Sequence, residues 1–438
     1  MLTVSSFAVM SLPIYFTNED ANLPALADTP SSQFVNQLKP ASYQQVDQIM
    51  QAGAGHVFPG VAITVIHDGE VVLNQAWGCL EPQKNMLLTQ PDSLFDLASI
   101  TKIFTTSTLL VLLHARMLEF NTPLVELIPE FGESGPRPVD GGLDPHSKQP
   151  LPVPDGLRGL TVDPRQVTLW HLLTHTSGLA PWRDVYNAAG PVPAPPDEPE
   201  PVSRYTRWDN ALHALCHYPF VDAPGDVVRY SDLGLLLLGE VVRRLSGMEL
   251  DEAIAAYVLE PLKLASPVFN PVRAGRSRDT IHPTEDDPMW RKRWVWGEVH
   301  DENACGVGGV AGHAGLFSTA RDVAALGQAW LDRDTRLNIA PETMTLATQE
   351  HASTGDMRRG LGWQIRAWEG ANAGDRMSAH TYGHTGFTGN SLWIDPERRL
   401  VIATLTNAVY YGRAFNGLYE FRRTIHDTLV EQLSPSTP

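Results

Sequence analysis

Ser99-Ile100-Thr101-Lys102 sets a hydroxyl and an amine three residues apart, where the β-prone segment Leu94-Phe95-Asp96-Leu97 gives way to the apolar run 109–113. On a helix, residues i and i+3 share a face, so the Lys102 amine reaches the Ser99 oxygen. The helix N-terminus adds positive potential at the same point. A serine attacks a carbonyl only when something takes its proton, which a desolvated neutral lysine or an ionised tyrosine can do. The chain has six lysines, and Ser99 is the one serine with a lysine three positions on. Tyr230-Ser231-Asp232 follows Pro224-Gly225 and precedes the apolar run 233–242, which puts a phenol on a loop at a helix mouth. His384-Thr385-Gly386 stands just before a predicted strand near the C-terminus, the place for an edge strand beside a cleft. No G-x-S-x-G occurs, so the nucleophile elbow of the α/β-hydrolases is absent.

Other polar clusters read as structural. Val299-His300-Asp301-Glu302-Asn303 holds metal-ligand residue types, but adjacent residues cannot all face one ion, and no H-E-x-x-H or second cluster accompanies them. Hydrogen bonding or a substrate loop is the reading, with no metal and no cofactor expected. Gly306-Val307-Gly308-Gly309-Val310-Ala311 imitates a dinucleotide fingerprint without the preceding strand, and reads as a flexible loop with His313 reaching the cleft. His175, in Thr174-His175-Thr176-Ser177-Gly178, reads as a turn-stabilising residue.

The elements that must position these groups follow from periodicity. Residues 61–66 and 71–77 are β-rich and flank Asp68-Gly69, a strong hairpin signal. Residues 390–394 and 400–406 repeat the pattern around Asp395-Pro396-Glu397-Arg398. Helices are predicted over 43–52, 101–118, 232–245 before Gly247, 320–331 behind the candidate caps Ser318 and Thr319, and 413–433. Both ends of the chain thus form sheet and the middle is helical. Residues 39–98 with 300–433 read as an α/β sheet domain, 99–299 as a mainly helical lobe, and 1–38 as a flexible N-terminal extension. Pro/Gly-rich stretches at 132–164 and 190–201 read as insertions beside a substrate entrance.

Over 438 residues, 43% apolar and 19% charged content suits a packed enzyme. A net charge of -17 argues against nucleic acid, which is bound through clustered Lys and Arg. Cys79, Cys216 and Cys305 are an odd, scattered set, read as free thiols. No run of eighteen apolar residues predicts a transmembrane segment. Residues 1–16 are apolar and Ala25-Leu26-Ala27 resembles a cleavage site, but the first basic residue is Lys39. That poorly formed signal favours a cytoplasmic location over export. Nothing in the sequence speaks to oligomeric state.

The ordered set Ser-x-x-Lys, Tyr-x-Asp and His-Thr-Gly resembles the serine β-lactamase and penicillin-binding-protein superfamily, in its branch of class C β-lactamases, D-alanyl-D-alanine carboxypeptidases and related esterases. Phe95-Asp96-Leu97-Ala98-Ser99, Leu172-Leu173-Thr174-His175-Thr176-Ser177-Gly178-Leu179 and Gly315-Leu316-Phe317-Ser318-Thr319-Ala320-Arg321-Asp322 are similar to that branch too. The likeness spans 57–430. It implies a β-lactamase/transpeptidase-like α+β fold and an acyl-enzyme hydrolase of small amides or esters, including cell-wall-derived peptides. By resemblance, Ser99 is acylated, Lys102 and Tyr230 share the base and acid roles, and the backbone N–H groups of Ser99 and Phe387 form the oxyanion hole. Asp232, His384, Thr385, Gly386 and His313 border the substrate.

Two departures bear on substrate. His384 stands where many β-lactamases carry lysine, and an imidazole of pKa ~6.5 is mostly neutral at pH 7, so a permanent cation is missing. Asp232 replaces the usual asparagine; a carboxylate only accepts hydrogen bonds, and it favours a charged Lys102, leaving Tyr230 as the working base. The rival readings are a β-lactamase and, from another class, a catalytically silent penicillin-binding sensor.

Overall fold

The computed structural model describes residues 32–81, 87–145 and 147–433. Its centre is a nine-stranded sheet in the spatial order Val35–Asn36, Glu70–Gly78, Gly60–His67, Leu400–Thr406, Ser391–Asp395, Tyr382–Thr385, Gln364–Ile365, Met357–Arg359 and Ala352–Thr354. Every neighbouring pair is antiparallel. Asp68 and Gly69 both take positive φ, 51° and 83°, the primed turn that matches strand twist. The two chain ends meet where Leu400 lies opposite His67 and Thr406 opposite Val61.

Alternation along Gly60–His67 sorts its side chains between two cores. Ala62 and Ile66 join the larger core, shared with the helices of the middle of the chain. Val61, Ile63 and Val65 join a smaller core under the helices Pro40–Gly53 and Leu418–Leu433. With both faces covered the strand is apolar on both sides rather than amphipathic, apart from the buried Thr64, whose hydroxyl donates to Asn74 Oδ1 at 2.7 Å, and the terminal His67.

The helices Thr101–Arg116 and Asp232–Ser246 pack on each other, and this contact brings the Ser-x-x-Lys and Tyr-x-Asp segments together. Ser231 caps the second of these helices, its Oγ accepting from Gly234 N–H, and Gly247 ends it at φ 71°. Ala320–Asp332 lies against the sheet strands, capped by Thr319; Ser318 sits instead in the short strand Leu316–Ser318.

The structure corrects the sequence reading in several places. Val35–Asn36 is an edge strand paired with Glu70–Gly78, not part of a loose extension. Residues 1–31, including the candidate signal, lie outside the described residues. The stretch Ala98–Arg116 is long and apolar enough to cross a membrane, but 83% of its most apolar window is buried inside the fold, as in a core helix. The glycine-rich segment after Cys305 is a buried, closely packed loop: a Cβ at Gly312 would stand 2.1 Å from the Leu235 carbonyl oxygen.

Candidate active site

Asp96 shapes the turn that presents Ser99. Its carboxylate accepts from the N–H groups of Ala98 (2.9 Å) and His300 (2.6 Å). Ala98 is held at φ 46°, a left-handed conformation that costs a residue with a Cβ ~1–2 kcal/mol. The turn then runs through Ala98–Ile100 into the helix Thr101–Arg116. Thr388 Oγ1 and Asn390 Nδ2 both donate to the Asp96 carbonyl at 2.7 Å, tying the His-Thr-Gly segment to the same turn. Gly386 permits that approach, since a Cβ there would come within 2.6 Å of the Leu97 carbonyl oxygen.

Lys102 is fully buried and meets three oxygens. It donates to Ser99 Oγ at 2.9 Å and to the His313 carbonyl at 3.0 Å, and pairs with Asp232 Oδ1 at 2.8 Å. Burial by itself lowers the lysine pKa; the adjacent Asp232 carboxylate outweighs it and holds the amine above its ordinary value. Tyr230 Oη donates to Ser99 Oγ at 2.8 Å. Burial pushes this phenol up and Asp232 adds to the rise, against the pull of Lys102. The resting site therefore holds a lysine cation and a neutral tyrosine.

His384 lies 2% exposed, with Nδ1 2.7 Å from the Thr385 carbonyl. That contact puts the ring proton on Nδ1 and leaves Nε2 as an acceptor, unpartnered among the described residues. Burial, then Lys102 and Arg359, hold the imidazole well below the usual histidine range, so it is neutral. His175 stabilises a turn, and the turn is the one that carries Tyr230: its carbonyl accepts from Arg229 N–H at 2.8 Å and its Nδ1 from Ser231 N–H at 3.1 Å.

Ser99 opens onto a cavity of about 420 Å³, lined also by Tyr230, Arg359, Gln364, His384, Thr385, Gly386, Phe387, Phe415, Leu418, Tyr419 and Arg422. One wall is thus apolar and aromatic, and no carboxylate lines the cavity among the described residues. Arg359, Gln364, Phe415, Tyr419 and Arg422 carried no motif signal. The missing permanent cation is a point on which the sequence misleads, since two guanidiniums line this space.

Other candidates fall elsewhere. The His313 ring is buried against Asp301 (Nε2–Oδ1 2.8 Å) and does not line the cavity; only its carbonyl serves the site, through Lys102. Asp232 is spent on Lys102 and is not among the lining residues. The stretches 132–164 and 190–201 contribute nothing to the lining; residues 193–200 instead border a separate cavity with Arg207 and Arg273. The cluster 299–303 is divided among different partners. His300 meets Glu285 at 2.7 Å, Glu302 meets Arg413 at 2.9 Å, and Asn303 Nδ2 donates to the Arg183 carbonyl at 3.0 Å. No group of three or more His, Cys, Asp or Glu suited to a metal ion occurs among the described residues. All three cysteines are free.

A central nine-stranded antiparallel sheet, a helical lobe on one face, and a serine held between lysine and tyrosine beneath the sheet's His-Thr-Gly strand are features of the penicillin-recognising serine hydrolases. The chain belongs to the Beta-lactamase family, whose model matches residues 46–425. A putative D-alanyl-D-alanine carboxypeptidase of Escherichia coli K12 is 30% identical over 391 residues, 83% of this chain and 81% of the relative. An N-acetylmuramyl-L-alanine amidase of Bacillus subtilis is 29% identical over 434 residues, 91% of this chain and 89% of the relative. Among solved structures, the fold is shared with EstCE1, a hydrolase with promiscuous acyltransferase activity (TM-score 0.66, 19% identity, 89% of this chain and 98% of that one). It is shared as well with a penicillin-binding protein homologue from Caulobacter crescentus (TM-score 0.63, 19% identity, 90% and 98%).

Proposed function

We propose that Ser99 is the nucleophile of an acyl-enzyme hydrolase acting on small amides or esters, cell-wall-derived peptides among them. The observation that carries this reading is one oxygen, Ser99 Oγ, lying 2.9 Å from Lys102 Nζ and 2.8 Å from Tyr230 Oη where it meets an open cavity. Lys102 acts as a fixed cation. Tyr230 first loses its phenolic proton to water in the cavity and then reacts as the phenolate: it takes the Ser99 proton while Oγ bonds to the acyl carbon, and gives that proton to the departing oxygen or nitrogen as the bond to the acyl carbon breaks. Water repeats the sequence and frees the serine. The backbone N–H groups of Ser99 and Phe387 receive the oxyanion, each worth about 3 kcal/mol by the usual effect of such donors.

The wall of Phe387, Phe415, Leu418 and Tyr419 suits an apolar part of the substrate. The carboxypeptidase and amidase names of the relatives support peptide substrates. Mass spectrometry after fluorophosphonate or penicillin treatment tests the assignment. One adduct on Ser99, absent from Ser99→Ala, is expected; no adduct with either reagent would favour a silent binding scaffold. Turnover on p-nitrophenyl esters, D-amino-acid peptides, muropeptides and nitrocefin then ranks the substrates.

A further inference from the structure

Arg359 ends the strand Met357–Arg359 and lines the cavity, yet is only 6% exposed. Its Nε and Nη1 have no hydrogen-bond partner, and no carboxylate pairs with it among the described residues. A buried guanidinium without a counter-ion is costly. It lies over the face of the Tyr230 ring, whose centroid is 5.1 Å from the guanidinium carbon. Lys102 Nζ lies 5.0 Å from the same centroid. The remaining groups around the phenol are Asp232, whose charge is matched by Lys102, and the neutral rings of His175 and His384 at 4.8 Å and 6.0 Å.

A cation over a neutral phenol gains only a modest quadrupole attraction, but the gain rises when the ring carries a full negative charge. The contact therefore strengthens as Tyr230 ionises, and an interaction that is stronger along the reaction than at rest accelerates it. We propose that Arg359 is a positioning residue for catalysis, its charge favouring the phenolate of Tyr230 that takes the Ser99 proton. It supplies, from a strand outside the three motifs, the second cation that His384 cannot. The inference rests on Tyr230 being the proton acceptor.

The test compares Arg359→Gln, Arg359→Lys and Tyr230→Phe with the unaltered chain, on one neutral and one carboxylate-bearing p-nitrophenyl ester across pH 5–10. Rates are normalised to sites titrated with fluorophosphonate, so a poorly folding variant is still read per competent molecule. In Arg359→Gln, kcat should fall on the order of tenfold or more on both esters with little change in KM. The limb along which rate rises with pH should move to higher pH, and Arg359→Lys should restore most of both. An unchanged limb with unchanged kcat overturns the proposal. So does a KM rise confined to the carboxylate-bearing ester, which would make Arg359 a receptor for a substrate anion. Tyr230→Phe separates the two layers: full activity there sinks the phenolate reading itself, whereas an inactive Tyr230→Phe beside an unaltered Arg359→Gln sinks only the role of Arg359.

Discussion

Replacing Asp232 by asparagine removes the charge that holds Lys102 as a cation while leaving a side chain of the same shape. The pair is 2.8 Å apart, with the lysine side chain 1% and the aspartate side chain 19% exposed. Unit charges at that separation attract by roughly 6 kcal/mol at an effective dielectric of about 20. The asparagine oxygen still accepts from the ammonium, which keeps about 2 kcal/mol. Part of the rest is offset because the aspartate no longer gives up hydration, so the expected loss of stability at pH 7 is about 3 kcal/mol, the low end for breaking a buried pair. The sign with pH follows from the raised lysine pKa. The contribution is fully present below the unfolded value of about 10.4 and is lost as pH rises through the folded value, so the two proteins converge in alkali. Urea unfolding at pH 7 and at steps up to pH 11 reads this directly. Asp232 also raises the Tyr230 phenol, so its removal eases formation of the phenolate and the acid limb of the rate profile should move to lower pH. Stabilities equal within about 0.5 kcal/mol, together with an unmoved limb, would refute the view that Asp232 sets the lysine charge.

Gly386→Ala should force apart the His-Thr-Gly strand and the nucleophile turn, because its Cβ meets the Leu97 oxygen at 2.6 Å. Activity should drop on the order of a hundredfold while the fold survives; wild-type kcat beside a normal melting curve would contradict this. His282 and His426 are buried neutral, with pKa values lowered to about 3 by burial, and take up protons on unfolding. Their depressed folded values mean stability is lost as pH falls below about 6.5, roughly 1.4 kcal/mol per pH unit for each, so urea midpoints should drop between pH 7 and pH 5. Equal midpoints would count against it. Tyr419→Ala strips part of the apolar wall and should raise KM for aryl or long-chain esters several-fold with kcat little changed. An equal effect on acetyl esters would show that the wall does not read the acyl group.

Ser99 and Lys102 were legible together because i and i+3 on a helix face the same way whatever surrounds them. The hairpin at Asp68-Gly69 and the helix stop at Gly247 were legible for a similar reason: positive φ at a turn or a helix end has a local chemical signature. Tyr230 could be named by its order along the chain, but its 2.8 Å approach to Ser99 depends on how Asp232–Ser246 packs against Thr101–Arg116. His313 shows the limit most plainly. Its ring has the residue type expected of a site, yet the fold buries that ring and uses the carbonyl, a group every residue carries and no motif can mark. Arg359, on a strand, and Arg422, on the C-terminal helix, had no signal, since a charged residue on either element is ordinarily solvated. What the sequence determined by itself is the set of contacts made within a turn or two of the chain. Only the tertiary structure decided which cations face the cavity and which acid neutralises the lysine, because those contacts join segments far apart along the chain, and packing alone sets their distances.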